Sequence, residues 1–379
     1  MRAVRRFPYL TAALTRIPTH TVRRLHLEGP DGRSVLIESD EDAAIMIRRV
    51  EFDQLLVSLA VEAGAELVTG ADIAQVREAD DRVELVARDG RRFEAAVLVA
   101  ADGVHSTIAR RLGLNRGWPA GAVALDMMEE TPRTLLRDID PSALWVSYGY
   151  DSGSPSDTGS DPALARRGAG GAKAAEGYAY VFPKRDHVNI GVGYVLAHFR
   201  ESIDEAPYDI QRRFVETLRR RGVTEGASVR ANFTPFLIPV GGPLPIPARG
   251  RVLLTGDAGG FVNGFTAEGI YYAMVTGDLA ARAIAAGQPA SLAARYRRAC
   301  RDEIGAELRD SVLIQRYLFA DRRRIAQVIE GAGANPALTR LVLDFASGRL
   351  GYAALRRRML ARSPVLAARL LWMLAAGAH

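Results

Sequence analysis

Apolar and polar positions change period several times along the chain, and each change marks an element. Residues 21–27 and 34–38 predict two strands around the turn Gly29-Pro30-Asp31-Gly32. Residues 52–62 repeat apolar positions at helical spacing and stop at Gly64, which predicts an amphipathic helix. Residues 73–76, 83–87 and 92–94 predict a small antiparallel group, with Asp89-Gly90 as a hairpin turn. Residues 96–100 are continuously apolar, the pattern of a strand buried within a parallel sheet, and a helix is predicted over 105–112. Further strands are predicted at 123–127 and 144–150, a hairpin at 178–182 and 188–196, a helix at 209–220 and a Pro-limited strand at 228–239. Residues 151–177, rich in Gly, Ser, Asp and Ala, read as a loop, and from Leu292 onward the chain reads as helices.

Composition narrows the classes. At 379 residues and 48% hydrophobic, the chain can bury the core of two lobes. The formal charge is +6, but all basic residues except Lys173 and Lys184 are arginine, and no basic stripe interleaved with aromatics occurs. No nucleic-acid partner is expected. A single cysteine, Cys300, excludes an intrachain disulfide and fits a reducing, cytoplasmic setting. The six histidines, at 20, 26, 105, 187, 198 and 379, lack metal-ligand spacing, so no metal site is expected. The N-terminus is basic without an apolar signal-peptide core.

Three stretches carry chemistry. In residues 251–277 an apolar run ends at Gly256-Asp257, a Gly-rich turn follows, and a helix is predicted from near Glu268. Asp257 is placed to accept hydrogen bonds from sugar-like hydroxyls, Gly256, Gly259 and Gly260 admit close backbone approach, and Gly269 and Ile270 offer N–H groups at a helix start. In residues 97–111 a buried strand delivers Asp102-Gly103 to the carboxyl edge of a sheet, with Ser106 and Arg110 following. A capping Asp in an ordinary strand–turn–helix accounts for this stretch equally. The third is Arg48-Arg49-Val50-Glu51-Phe52-Asp53, where an arginine can pair with phosphate or a ribose edge, or sit in a solvated charged turn.

In order and spacing the three stretches resemble the flavoprotein monooxygenase superfamily with the para-hydroxybenzoate hydroxylase fold, and in detail its geranylgeranyl reductase branch. That family's last motif runs roughly Gly-Asp-Ala-Ala-Gly-Phe-Val-Asn-Pro-Leu-Thr-Gly-Glu-Gly-Ile-Tyr-Tyr-Ala-Met. Here Gly259, Gly264, Phe265 and Ala267 replace its Ala, Pro, Leu and Gly. The family's Tyr-x-Trp-x-Phe-Pro-Lys signature is matched by residues 178–184, with Tyr180 for Trp. The resemblance implies an α/β fold with an α+β insertion: a Rossmann-like lobe (48–112 and 248–287), an antiparallel-sheet substrate domain (16–47 and 113–247) and a C-terminal helical region (288–379). It implies FAD as cofactor and NAD(P)H or another reductant as electron donor. Arg49 and the backbone near Ile73 would contact the adenosine half. Asp257 would bond the ribitol or pyrophosphate, with Gly256 and Asp102 beside it. Gly269 and Ile270 would face the flavin pyrimidine edge.

The superfamily opens with a strand, Gly-x-Gly-x-x-Gly and a helix, and no glycine of this chain begins that pattern in such a setting. The expectation is a Rossmann-like lobe lacking its first βαβ unit, in a working protein longer than this chain; a short form with weakened or lost FAD binding is the alternative. The implied reaction is reduction of carbon–carbon double bonds of a polyprenyl chain, in isoprenoid-lipid biosynthesis. Tyr178, Tyr180 and Phe182 alternate on a strand and either line a greasy groove for that chain or form a cross-strand core. Lys184 either neutralises an anionic head group or is a strand-end charge. No catalytic acid is assigned. Residues 364–377, apolar apart from Arg369, are too short to span a bilayer, which needs ~20 residues, and read as a docked terminal helix or a helix peripheral on a membrane. The competing functions are hydroxylation or halogenation of a small aromatic, and an inactive remnant.

Overall fold

The computed structural model describes residues 2–150, 177–346, 351, 352, 354, 355 and 357. The loop expected at 151–177, apart from Gly177, and the apolar stretch 364–377 lie outside the described residues. In chain order the strands are β1 (His20–Val22), β2 (Arg24–Glu28), β3 (Ser34–Glu38), β4 (Ala44–Met46), β5 (Ile73–Glu78), β6 (Val83–Ala87), β7 (Arg92–Ala95), β8 (Leu98–Ala100), β9 (Ala124–Pro132), β10 (Ala143–Tyr148), β11 (Gly177–Pro183), β12 (His187–Val195), β13 (Phe233–Ile238), β14 (Ala248–Arg249) and β15 (Val252–Leu254). The chain divides into two compact units: Met1–Ala60 with Ala124–Phe236 and Arg316–Gly351, and Val61–Val123 with Leu237–Gln315 and Tyr352–His379. Residues 288–379 are therefore shared between the two units.

The first unit is built on a seven-stranded sheet in the order β13-β9-β12-β11-β10-β2-β3. From β9 to β3 the pairs are antiparallel except β10 with β2, which run parallel. One face is sealed by the helix Pro207–Arg220, whose Ile210, Phe214, Val215 and Leu218 pack on Met127, Trp145, Val181, Ile190 and Val192. Period two along the strands and period 3.6 along the helix meet at this layer. Strand β9 runs beyond the 123–127 that apolarity predicted, through Glu129-Glu130-Thr131. These polar residues are tolerated because Glu129, fully buried, accepts from Ser228 Oγ at 2.5 Å, Thr131 Oγ1 at 3.2 Å and the Val229 N–H at 3.3 Å. The same bonds hold Ser228 and Val229 off any ladder, so the strand expected over 228–239 is confined to β13, after a short 3-10 turn at Arg230–Asn232.

The second unit carries two three-stranded sheets, β14-β15-β8 and β5-β6-β7. Strand β8 runs parallel to β15, as the apolar runs predicted, and Asp89-Gly90 closes the β6–β7 hairpin with the Gly90 N–H bonded to the Ala87 carbonyl at 3.0 Å. The sheets are tied by Arg251, whose N–H donates to Glu78 Oε1 at 2.6 Å and whose guanidinium reaches the Asp80 and Ala96 carbonyls. Val83, Ala100, Ile108, Ala109, Val252, Leu254 and Ala258 form the core. The helix expected from His105 begins at Thr107, because the Ser106 hydroxyl accepts the Ala109 N–H and caps it. The helix expected over 52–62 spans Arg49–Glu62 and is not amphipathic: Phe52 and Leu55 are buried while Val50, Val57 and Val61 are exposed. Its apolar positions lie on all sides, so spacing alone misread it. Among the described residues no helix is long and apolar enough to cross a membrane.

Candidate active site

The second unit places the Gly-rich motif as the sequence suggests. Strand β15 ends at Leu254, and residues 256–259 turn in a 3-10 helix closed by Gly260. Gly256 (φ +53°) and Gly260 (φ +72°) occupy the left-handed region, where a side chain is strained. The helix Ile270–Ala285 follows with Gly269 as its N-cap residue and no side-chain cap. A Cβ on Gly269 would lie 3.2 Å from Asp257 Oδ1, so this carboxylate packs close against the helix start.

The loop between turn and helix is fixed by Asn263, which is buried. Its Oδ1 accepts the Phe265 and Thr266 N–H groups at 3.0 Å and the Tyr352 hydroxyl at 2.8 Å. Its backbone N–H donates to the Glu268 carbonyl at 3.0 Å, and its carbonyl accepts the Ala267 N–H at 2.9 Å. The sequence reading had no signal for this hub beyond the polarity of one residue in an apolar run. Ala267, where the related motif has glycine, sits at φ +55°. The left-handed cost of ~1–2 kcal/mol for an L-residue, less the ~0.5–1 kcal/mol that glycine gives up in the unfolded chain, predicts a net stabilisation of about 0.5 kcal/mol for Ala267→Gly. A urea midpoint at or below that of the parent would contradict this.

The remaining expected cofactor contacts are already engaged within the protein. Asp102 accepts the Ser106 hydroxyl at 2.6 Å on Oδ1 and the Ile108 N–H at 3.1 Å on Oδ2, the bonding of a capping residue. Ile73 opens β5 and packs against the Val83–Ile108–Val252 core. In the first unit, Arg49 forms a two-pronged pair with Asp53, at 3.0 Å from Nε and 2.9 Å from the terminal nitrogen, and is well exposed. Its neighbour Arg48 instead donates to Glu130 at 3.0 Å.

The face of the large sheet opposite the Pro207–Arg220 helix carries the aromatic row. Tyr178, Tyr180 and Phe182 point to one side, as alternation requires, with ring centroids 6.1 Å apart for the first pair and 4.5 Å, stacked, for the second. Tyr148 adds a fourth ring 5.9 Å from Tyr178. Gly191 lies across the ladder from Tyr180, and a Cβ there would come within 2.4 Å of the phenol ring. The Tyr180 hydroxyl donates to Asp126 Oδ2 at 3.0 Å. Burial pushes the Asp126 carboxyl up to about 7, although the Tyr180 bond acts to lower it. At the other end of the row Lys184 is buried and pairs with Glu130 at 2.5 Å, so it is not a solvated strand-end charge. Burial raises Glu130, but Lys184 and Arg48 outweigh it and hold the carboxyl below its usual range. Sequence reading missed Asp126; its signal was a single acid within the apolar run 123–128.

FAD is a large group with an anionic diphosphate and a flat, hydrogen-bonding ring. The helix start at Ile270, which has no side-chain cap and lies beside Asp257, fits its ribitol and ring end, since a helix N-terminus favours electron-rich groups.

Comparison with known proteins agrees. Residues 11–158 match the family described as FAD binding domain. Digeranylgeranylglycerophospholipid reductase 2 of Methanothermobacter thermautotrophicus is 27% identical over 324 residues, covering 82% of this chain and 75% of that protein. Digeranylgeranylglycerophospholipid reductase of Methanosphaerula palustris is 31% identical over 271 residues, covering 69% and 59%. The chain thus spans well under the full length of both relatives. A solved geranylgeranyl bacteriochlorophyll reductase-like protein from Thermoplasma acidophilum shares the fold, with TM-score 0.66 at 17% identity over 83% of this chain and 76% of that one. These likenesses make the chain an FAD-dependent oxidoreductase similar to the geranylgeranyl reductases, with the fold of the para-hydroxybenzoate hydroxylase flavoproteins.

Proposed function

We propose that this protein reduces carbon–carbon double bonds of a polyprenyl chain on an isoprenoid lipid. The observation that carries the reading is the row Tyr148, Tyr178, Tyr180 and Phe182 on the sheet face opposite the Pro207–Arg220 helix. A continuous run of four ring faces suits a long hydrocarbon. The names of the two archaeal relatives support the same substrate class.

Bound FAD, reduced by NAD(P)H or another donor, would supply a hydride. Asp257, Gly256, Gly269 and Ile270 would hold its ribitol and ring end, and Arg49, the backbone at Ile73 and Asp102 would serve the rest. For Arg49 this requires exchanging Asp53 for a phosphate, a small loss because both partners are exposed. An isolated alkene is poorly polarised, so the protein's contribution is to position it and exclude water. The chain's own residues do this with ring faces and with glycines at 191 and 193, which keep the strand beside the rings low. A lipid substrate also suits a surface contact with a membrane, the role we assign to residues 364–377.

Incubating the protein with FAD, a reductant and a geranylgeranyl compound is expected to add two hydrogens per reduced double bond, read by mass spectrometry. No mass gain, with NAD(P)H-dependent oxygen uptake on an aromatic instead, would replace this reading by the hydroxylase one.

A further inference from the structure

We propose that Asp126, held by the Tyr180 hydroxyl on the aromatic face, is the proton donor that completes reduction of the double bond. The inference rests on the reductase reading above and supplies the acid which that reading lacks.

Reduction of an alkene needs a hydride at one carbon and a proton at its neighbour. The sheet face offers two carboxyls, Asp126 and Glu130, both on β9 and two residue pairs apart. Glu130 is committed as a carboxylate by Lys184 at 2.5 Å and Arg48 at 3.0 Å. Asp126 differs: among the described residues no cation pairs with it, and its partner is a phenol at 3.0 Å. The groups facing it are Tyr178 and Tyr180 from β11, Tyr148 from β10 and Glu130 from β9, while β12 contributes Gly193 opposite Asp126, then Gly191 and Asn189 along the same face. Burial raises all three phenols, so none of them is a ready proton source near neutrality. Burial also leaves the Asp126 carboxyl at about 7, where an acid can be both protonated and willing to donate. Gly193 lies opposite Asp126 in the ladder, so no side chain of β12 stands between that carboxyl and the neighbouring strand.

The step balances as follows. The alkene accepts a hydride at one carbon from the reduced flavin, which is oxidised. The Asp126 O–H bond breaks, and its proton joins the neighbouring carbon, where the former π pair forms the new C–H bond. Asp126 is left as a carboxylate, steadied by the Tyr180 hydroxyl, and is reprotonated from water. Tyr180 is thus a positioning residue, and Gly191, which seats its ring, supports it.

Two readouts test this. In the full chain without cofactor, labelled with carboxyl-13C aspartate, NMR should show one carboxyl titrating near pH 7 that is absent from Asp126→Asn and moved higher in Tyr180→Phe, because the phenol bond lowers it. In single turnovers of the FAD-loaded protein with a geranylgeranyl compound in D2O, Asp126→Asn should slow reduction 100-fold or more, with the flavin absorption spectrum and substrate affinity unchanged. Tyr180→Phe should reduce at a lower rate with its pH profile shifted upward. Every aspartate titrating below pH 5 overturns the proposal, as does Asp126→Asn reducing at the parental rate with parental deuterium incorporation. A parent protein that leaves the alkene intact overturns the reductase reading, and this proposal with it.

Discussion

Gly260→Ala should lose about 3 kcal/mol of stability or more, and with it tight FAD binding. Gly260 lies at φ +72°, which costs an L-residue ~1–2 kcal/mol. The new Cβ would come within 2.6 Å of the Trp118 ring and 2.7 Å of the Gly242 carbonyl oxygen. Neither neighbour can yield cheaply. Gly242 presents backbone, and Trp118 is pinned by its Nε1–H to the Val104 carbonyl at 2.9 Å. Overpacking of this kind adds ~1–3 kcal/mol, against a total of ~5–15 kcal/mol for a typical domain. Gly277 is the control. It lies inside the Ile270–Ala285 helix with open space where its Cβ would be, so Gly277→Ala should stabilise by ~1 kcal/mol. Urea midpoints would compare the two, and an unmoved midpoint for Gly260→Ala would show that the turn is not built as described.

The second large effect is on pH dependence. An unfolded aspartate titrates near ~3.9, whereas Asp126 in the folded protein is raised to about 7. The folded state therefore holds this proton more tightly. Below ~4 both states are protonated and the group costs nothing. Between ~4 and ~7 the unfolded chain releases the proton while the fold keeps it, so stability falls as pH rises. Above ~7 the loss is complete and reaches up to about 4 kcal/mol, at 1.36 kcal/mol per pKa unit. Glu129, raised by burial, acts in the same direction, while Glu130, lowered by its cations, opposes it. The difference between parent and Asp126→Asn isolates the one group. The variant should match the parent near pH 4 and exceed it by a few kcal/mol at pH 8 in denaturant titrations. Equal stability at both pH values would mean that Asp126 is not held as a buried acid.

Elements bounded by local chemistry were legible in the sequence. The Asp89-Gly90 turn, the parallel strands ending at Ala100 and Leu254, and the aromatic alternation at 178, 180 and 182 needed only period and turn residues. What escaped depended on partners distant in sequence. Strand β9 continues through Glu129 only because Ser228 and Val229, about 100 residues on, satisfy its carboxylate. Asp126 gains its significance from Tyr180, 54 residues later. Arg49 and Asp102 are residue types that serve a phosphate or a sugar, and spacing does not reveal that Asp53, Ser106 and the Ile108 N–H already engage them. The pattern over 52–62 failed differently: its apolar residues are dense enough to mimic a stripe while facing every direction.

The hub at Asn263 bears on how the protein ages. Asn-Gly is the dipeptide most prone to deamidation, because the flexible glycine lets its backbone nitrogen attack the asparagine side-chain carbon. Here Gly264 follows Asn263, but its N–H is bonded to Ser311 Oγ at 2.8 Å, and a Cβ there would meet the Val240 oxygen at 2.8 Å. The attacking nitrogen is thus tethered, and the amide oxygen is fixed by two N–H groups and a phenol. Conversion to aspartate or isoaspartate at this position is suppressed for as long as the loop stays folded, so its appearance on storage would act as a chemical clock for how often the loop opens.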